Sequence, residues 1–182
     1  MRILIIGDGP GGLSAALFLS KAGHDVVVVG KDETAMHWAY LYNYLGIPSI
    51  SGSDFQAAAR AHAEGHGARL VAGTVDAVAA DGDVFTATLD DGSTHTGDYL
   101  LLSEGKKPKL ALALGCAAEG SRLEVDRDGR TSIDKVYAVG RSVRPGRSQA
   151  IISAGDGAAA ALDILSREAG KDVADWDSPP KD

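Results

Sequence analysis

Arg2-Ile3-Leu4-Ile5-Ile6-Gly7-Asp8-Gly9-Pro10-Gly11-Gly12-Leu13-Ser14-Ala15-Ala16 decides the reading of this chain. Four consecutive large apolar residues without alternation read as a strand buried on both faces. A G-x-G-x-x-G turn follows, and then a helix whose first turns carry small residues. The motif alone is weak evidence, but here it has the strand before it and the helix after it that it requires. In that setting it predicts a dinucleotide whose pyrophosphate rests on backbone N–H groups at the helix N-terminus. Gly7 permits the tight turn off the strand, Gly9 lets the backbone approach a phosphate, and Gly12 allows close helix–strand packing. Gly11 lies within the turn, and Pro10 falls near the helix start, where a missing N–H costs little. A matching second strand exists: Ala22-Gly23 closes the helix, and Val26-Val27-Val28-Val29 follows.

The 182 residues are 45% hydrophobic, which suits a globular fold with a real core. Net charge is −7, and no basic patch appears, which argues against a nucleic-acid partner. The single cysteine, Cys116, excludes an intrachain disulfide and points to a reducing, cytoplasmic compartment. No apolar run approaches the ~20 residues that span a bilayer, and no signal-peptide pattern precedes the first strand.

Further along, residues 30–52 are irregular, and a helix is expected over residues 55–64, capped by Ser53 or Asp54. Residues 69–72 form a short apolar strand. Residues 75–78, 84–89 and 94–102 suggest an antiparallel meander turning at Asp81-Gly82 and Asp91-Gly92. Residues 121–126 and 136–140 are further strands, and an Ala-rich helix runs from about Gln149 to about Ala169. Residues 1–170 make a single domain, and residues 171–182 a polar tail expected to fray. There is no internal repeat and no second G-x-G-x-x-G.

Taken in order, these segments resemble the low-molecular-weight thioredoxin reductases and their pyridine nucleotide-disulfide oxidoreductase relatives. The resemblance rests on five stretches: the first glycine turn, Asn43-Tyr44-Leu45-Gly46-Ile47-Pro48, residues 67–78, residues 126–140 and residues 148–157. It implies an α/β fold, a three-layer Rossmann-like FAD-binding domain with a parallel sheet plus an antiparallel β-meander. It also implies FAD as cofactor, with adenine near Val75 and flavin near Asn43, Tyr44, Gln149 and Ala150, and a homodimer. Between Gly105 and Asp126 only about twenty residues stand where the family carries a pyridine-nucleotide domain with a C-x-x-C pair. Cys116 alone cannot run a dithiol relay and reads as a small apolar residue.

Four positions depart from the family pattern. The carboxylate expected at the end of the second strand, where it would bind the adenosine ribose, is Gly30, followed by Lys31 and Asp32. Asp32 stands in only if the loop shifts; otherwise it is a solvated loop charge. Ser103-Glu104-Gly105 replaces Ala-Thr-Gly, Gly140-Arg141 replaces Gly-Asp, and Ser148 stands where Arg is common. Arg141 cannot accept a hydrogen bond from a ribityl hydroxyl but can clamp a pyrophosphate. The loop of Arg141, Arg144 and Arg147 is therefore either solvated or an anion-binding loop facing residues 7–12. Candidate cofactor residues are Gly7, Gly9, Pro10, Gly11, Gly12, Lys31, Asp32, Asn43, Val75, Gly105, Gly140, Arg141, Gln149 and Ala150.

Trp38, Tyr40, Tyr42 and Tyr44 either wall an isoalloxazine or form a dimer surface. His62 and His66 share a helical face but lack further ligands, so no metal is expected. No catalytic residue can be named. The expected function is a minimal FAD-dependent oxidoreductase or electron-transfer protein, served by a separate electron donor or reductase chain. The alternatives are a non-catalytic nucleotide-binding module and a subunit of a split reductase.

Overall fold

The computed structural model describes residues 1–179. Its centre is the first strand, β1 (Arg2–Ile6), which is parallel to β2 (Asp25–Gly30) on one side and to β9 (Tyr99–Leu102) on the other. β5 (Arg69–Ala72) and β12 (Val136–Ala138) complete a five-stranded parallel sheet in the order β12-β9-β1-β2-β5. The unbroken apolar runs of β1, β2 and β9 follow from this placement, because both faces of the sheet are covered. Ile3, Ile5, Val26, Val28 and Leu101 pack into the helical layer. Leu4, Ile6, Val27, Val29 and Leu102 pack into the opposite layer.

The helical layer holds α1 (Pro10–Lys21), α2 (Gly52–Gly65) and α4 (Ala150–Ala169). The opposite layer is the antiparallel meander β6 (Val75–Asp81), β7 (Val84–Leu89) and β8 (Thr94–Gly97). The short helix α3 (Lys109–Leu114) packs Leu110, Ala111 and Leu114 on that same side. The architecture is thus the three-layer Rossmann-like α/β arrangement with a meander.

Several boundaries differ from the sequence expectation. Residues 94–102 are not one strand: β8 closes the meander, and after Asp98 the chain passes into the parallel sheet as β9. The break falls at Gly97, where a Cβ would stand 2.8 Å from the Leu4 backbone N. Asp98 anchors the crossing by accepting the Arg2 backbone N–H and guanidinium, both at 2.8 Å. α2 begins earlier than expected, because Ser51 rather than Ser53 or Asp54 is its N-cap, accepting the Asp54 N–H at 3.1 Å. Gly52 makes that start possible: a Cβ there would meet the Met36 carbonyl oxygen of the 3₁₀ turn Ala35–Trp38 at 1.8 Å.

The irregular loop also contains a small antiparallel pair, β3 (Tyr40–Leu41) and β4 (Ile50–Ser51). The strand expected over residues 121–126 is a two-residue hairpin arm, β11 (Arg122–Leu123), paired with β10 (Ala118–Glu119). The tail is tied down through residue 177. Val173 packs against the helical core, and Lys21 reaches Asp175 at 3.0 Å and Asp177 at 2.5 Å. Residues 180–182 of the expected tail lie outside the described residues.

Candidate functional site

A cleft of about 550 Å³ lies at the C-terminal ends of β1, β2, β9 and β12. That is where ligands bind in open parallel sheets, and the volume falls within the range of cofactor sites. Gly7, Gly9, Pro10 and Gly11 form one wall, and Gly140, Arg141, Ser148, Ala150 and Ser153 form another. Lys31, Val75, Gly105 and Lys106 also line it.

The glycines divide their roles on steric grounds. Gly7 has φ +102°, and a Cβ there would stand 2.2 Å from the Ser103 carbonyl oxygen. A Cβ on Gly12 would stand 2.0 Å from the Gly7 carbonyl oxygen, so Gly12 seats the helix on the turn rather than facing a ligand. Gly9 has nothing within 4 Å of its Cβ direction, which leaves backbone open to a close-approaching group.

Two helix N-termini converge on this cleft. α1 starts after Gly9 and α4 after Gln149, and neither has a capping side chain or an acidic residue in its first turn. The N–H groups of Gly11 and Gly12, and those of Ala150, Ile151 and Ile152, find no acceptor among the described residues and lie at the positive ends of two helix dipoles, a setting that attracts anions.

Arg141 lines the cleft and makes no ion pair among the described residues. Its neighbour Arg144 is committed elsewhere: the Nε donates to both carboxylate oxygens of Asp156, at 3.0 and 2.9 Å. Of the three guanidinium groups in the loop, only Arg141 lines the cleft.

Glu104 also lines the cleft, but its carboxylate caps α3, accepting the N–H groups of Leu110 and Ala111 at 2.7 and 2.9 Å. Burial pushes this carboxyl above its ordinary range, and the two N–H donors pull partly against that shift.

Asn43, Asp32 and Gln149 stand apart from the cleft lining. The Asn43 amide donates to Gln149 Oε1 at 3.0 Å, tying the irregular loop to the start of α4. Asn43 also borders a shallow depression formed by residues 42–48. Asp32, with φ +57°, turns its carboxylate to within 3.2 Å of His37 Nε2, and its N–H donates to Asp8 Oδ2 at 2.9 Å. Trp38 is 92% exposed and Tyr42 76%, and neither reaches the cleft, which receives Ala35 and Met36 from that segment instead. Cys116 is buried in the meander-side core, where burial pushes its thiol up. The His62 and His66 rings lie with centroids 5.3 Å apart, tilted 56° to one another. Among the described residues no group of three or more His, Cys, Asp or Glu is placed to hold a metal ion.

The residue that sequence reasoning passed over is Asp8. Its side chain is buried, lines the cleft, pairs with Arg60 and accepts the Asp32 N–H. The available signal was the missing carboxylate at Gly30, since an acid lost from one strand end invites a search of the adjacent turn.

The fold and the cleft together define a three-layer Rossmann-like domain with a ligand-sized cleft at the C-terminal ends of its parallel strands. The chain belongs to the pyridine nucleotide-disulphide oxidoreductase family, whose profile matches residues 1–50 and 43–157, and several of its relatives are thioredoxin reductases. A thioredoxin reductase of Streptomyces clavuligerus is 32% identical over 125 residues, covering 65% of this chain and 39% of that protein. The nitric oxide reductase FlRd-NAD(+) reductase of Aeromonas salmonicida is 29% identical over 141 residues, covering 76% of this chain and 34% of that protein. The chain therefore spans well under half the length of the curated relatives it matches. Among solved structures, a thioredoxin reductase from Gloeobacter violaceus superposes with TM-score 0.86 at 17% identity, covering 97% of this chain and 98% of that one. The atypical thioredoxin reductase TRi from Desulfovibrio vulgaris Hildenborough superposes with TM-score 0.83 at 18% identity, covering 91% and 97%. At these identities the structural likeness speaks for the fold. No helix among the described residues is long and apolar enough to cross a membrane.

Proposed function

We infer that this domain binds FAD and serves as a minimal oxidoreductase or electron-transfer flavoprotein, drawing electrons from a separate donor and using no dithiol of its own. The observation that carries this reading is the meeting of two uncapped helix N-termini at one cleft beside an unhindered glycine turn. Gly9, Gly11 and the first turn of α1 suit a pyrophosphate, and Val75 suits the adenine. Ala150 and the N-terminus of α4 suit the pyrimidine edge of a flavin, where negative charge gathers on reduction. The flavin supplies the redox chemistry when bound. The chain orients it, offers backbone donors, and keeps the ADP half against the turn. Family resemblance supports a homodimer, and the lone buried Cys116 supports a reducing cytoplasmic setting.

The visible spectrum of purified protein, before and after incubation with FAD and gel filtration, tests the reading. Retained flavin bands support it. A colourless protein that takes up no FAD overturns it.

One observation favours a second reading. Arg141 brings a donor-only side chain to the wall where the resembled family offers a carboxylate. In this alternative the cleft holds a nucleoside diphosphate without flavin, and the domain acts as a nucleotide-binding module or a subunit of a split reductase. Uptake of ADP without uptake of FAD would select it.

A further inference from the structure

We propose that Asp8 supplies the ribose-binding carboxylate that the end of β2 lacks. The inference rests on the dinucleotide reading above and assigns a role to a residue of the glycine turn itself.

In dinucleotide-binding βαβ units an acid at the end of the second strand receives the adenosine ribose hydroxyls. Here that position is Gly30, and the space beside it is filled. A Cβ on Gly30 would stand 2.4 Å from Asp8 Cγ and 2.5 Å from Asp8 Oδ1. The Asp8 carboxyl thus occupies, from the neighbouring turn, the volume into which a side chain at position 30 would leave the strand.

Three contacts fix it there. Oδ2 accepts the Asp32 N–H at 2.9 Å and pairs with the Arg60 guanidinium. The Asp8 carbonyl oxygen accepts the Gln56 amide at 2.6 Å. Asp32 takes a left-handed φ of +57° in the segment that presents this N–H, a conformation Asp tolerates. Every one of these bonds spares Oδ1. It takes no hydrogen bond among the described residues, and it is not among their sealed, unpartnered polar atoms.

A carboxylate held by one oxygen, with the other left unpaired on a residue that lines a nucleotide-sized cleft, is suited to hydroxyl donors. Arg60 neutralises the buried charge without entering the cleft lining, so it is not itself placed to contact a ligand there. The ligand class is therefore an adenine nucleotide with a free 2′-hydroxyl, recognised through Asp8 Oδ1. Gly30 is the complement of Asp8: one carboxylate fits at this corner, and two would collide.

The test is calorimetric titration of the whole chain with ADP and with 2′-deoxy-ADP, with thermal melts to verify folding. Wild type should favour ADP by about 10- to 100-fold, the range of a hydrogen bond to a charged group. Asp8→Gly should bind both nucleotides alike, near the wild-type level for 2′-deoxy-ADP. Asp8→Gly combined with Gly30→Glu should recover a preference for ADP, because the carboxylate returns from the strand end into the vacated space. If Asp8→Gly does not melt cooperatively, the double variant decides alone, and a folded double variant without preference overturns the proposal. A preference retained by folded Asp8→Gly overturns it as well. Equal wild-type affinity for both nucleotides removes the Asp8 assignment while leaving nucleotide binding in place. Binding of neither nucleotide removes both.

Discussion

A Cβ on Gly157 would stand 2.1 Å from the carbonyl oxygen of Gly11. The two longest-range partners in the helical layer, α1 and α4, therefore meet backbone to backbone, directly behind the cleft. Gly157→Ala should force the helices apart and destabilise the fold by about 1–3 kcal/mol, the usual cost of overpacking. Because Gly11 is also part of the cleft wall, nucleotide affinity should fall in the same variant. Urea denaturation and titration calorimetry read the two effects. A variant as stable as wild type would show that the helices slide apart freely.

Arg141 and Arg144 sit three residues apart and should behave differently. Arg141→Ala should weaken FAD or ADP binding by roughly tenfold or more, as expected for loss of a charged hydrogen-bond donor to a phosphate. Arg144→Ala should leave binding within about twofold, because its guanidinium is held by Asp156. Fluorescence or calorimetric titration at two salt concentrations distinguishes them. Equal losses would mean that the loop acts through its overall charge.

Glu104 should mark the pH dependence of stability. Burial raises its carboxyl from the ordinary value of 4.5, so the folded state holds the proton more tightly than the unfolded state does. The stability this proton contributes is fully present below 4.5 and lost as pH rises through the raised value. Glu104→Gln has no such proton. The difference in Tm, variant minus wild type, should be flat at acid pH and move in favour of the variant as pH rises toward neutrality. A difference that stays constant over that range would show that ionised Glu104 is fully compensated by α3.

Asp163 runs the other way. Burial alone would raise its carboxyl, but Arg130 and the Tyr137 hydroxyl, which donates at 2.5 Å, outweigh that and lower it. Its contribution is present above the ordinary carboxylate value and lost as pH falls through the lowered one. Asp163→Asn should cost about 1–3 kcal/mol at neutral pH, since it weakens the bonds of a buried tyrosine and an arginine. That cost should shrink in acid. Denaturant melts across pH measure it, and a pH-independent cost would point to lost shape rather than lost charge.

The strand–turn–helix over residues 2–21 was legible because its signals are local: an apolar run, glycines at fixed offsets and a proline at the helix start. The layered fold was implied by the resemblance of five stretches, in order, to the reductase family, and not by any repeat within the chain. The division of residues 94–102 was not legible, because Gly97 is required by the approach of Leu4, a neighbour ninety-three positions away in the chain. The Asn43–Gln149 bond, between residues 106 apart, was hidden for the same reason. The role of Asp8 was hidden more subtly. The motif leaves its second position free, and only the packed structure shows that position reaching into the volume above Gly30. The choice between Arg141 and Arg144 turned on Asp156, which lies in the second turn of α4 and could have been weighed as a partner from sequence.

The strand order β12-β9-β1-β2-β5 has a consequence for how the chain comes into being. The first thirty residues can join β1 to β2 soon after synthesis, but the other edge of β1 must wait for residues 99–102. The face of α1 must wait longer still, for α4 at residues 150–169. Such distant pairings slow folding, and they leave an unpaired apolar strand and a bare helix face exposed in the meantime. A nascent chain stalled before residue 150 would be a substrate for chaperones, and only the helix over residues 150–169 covers the waiting face of α1.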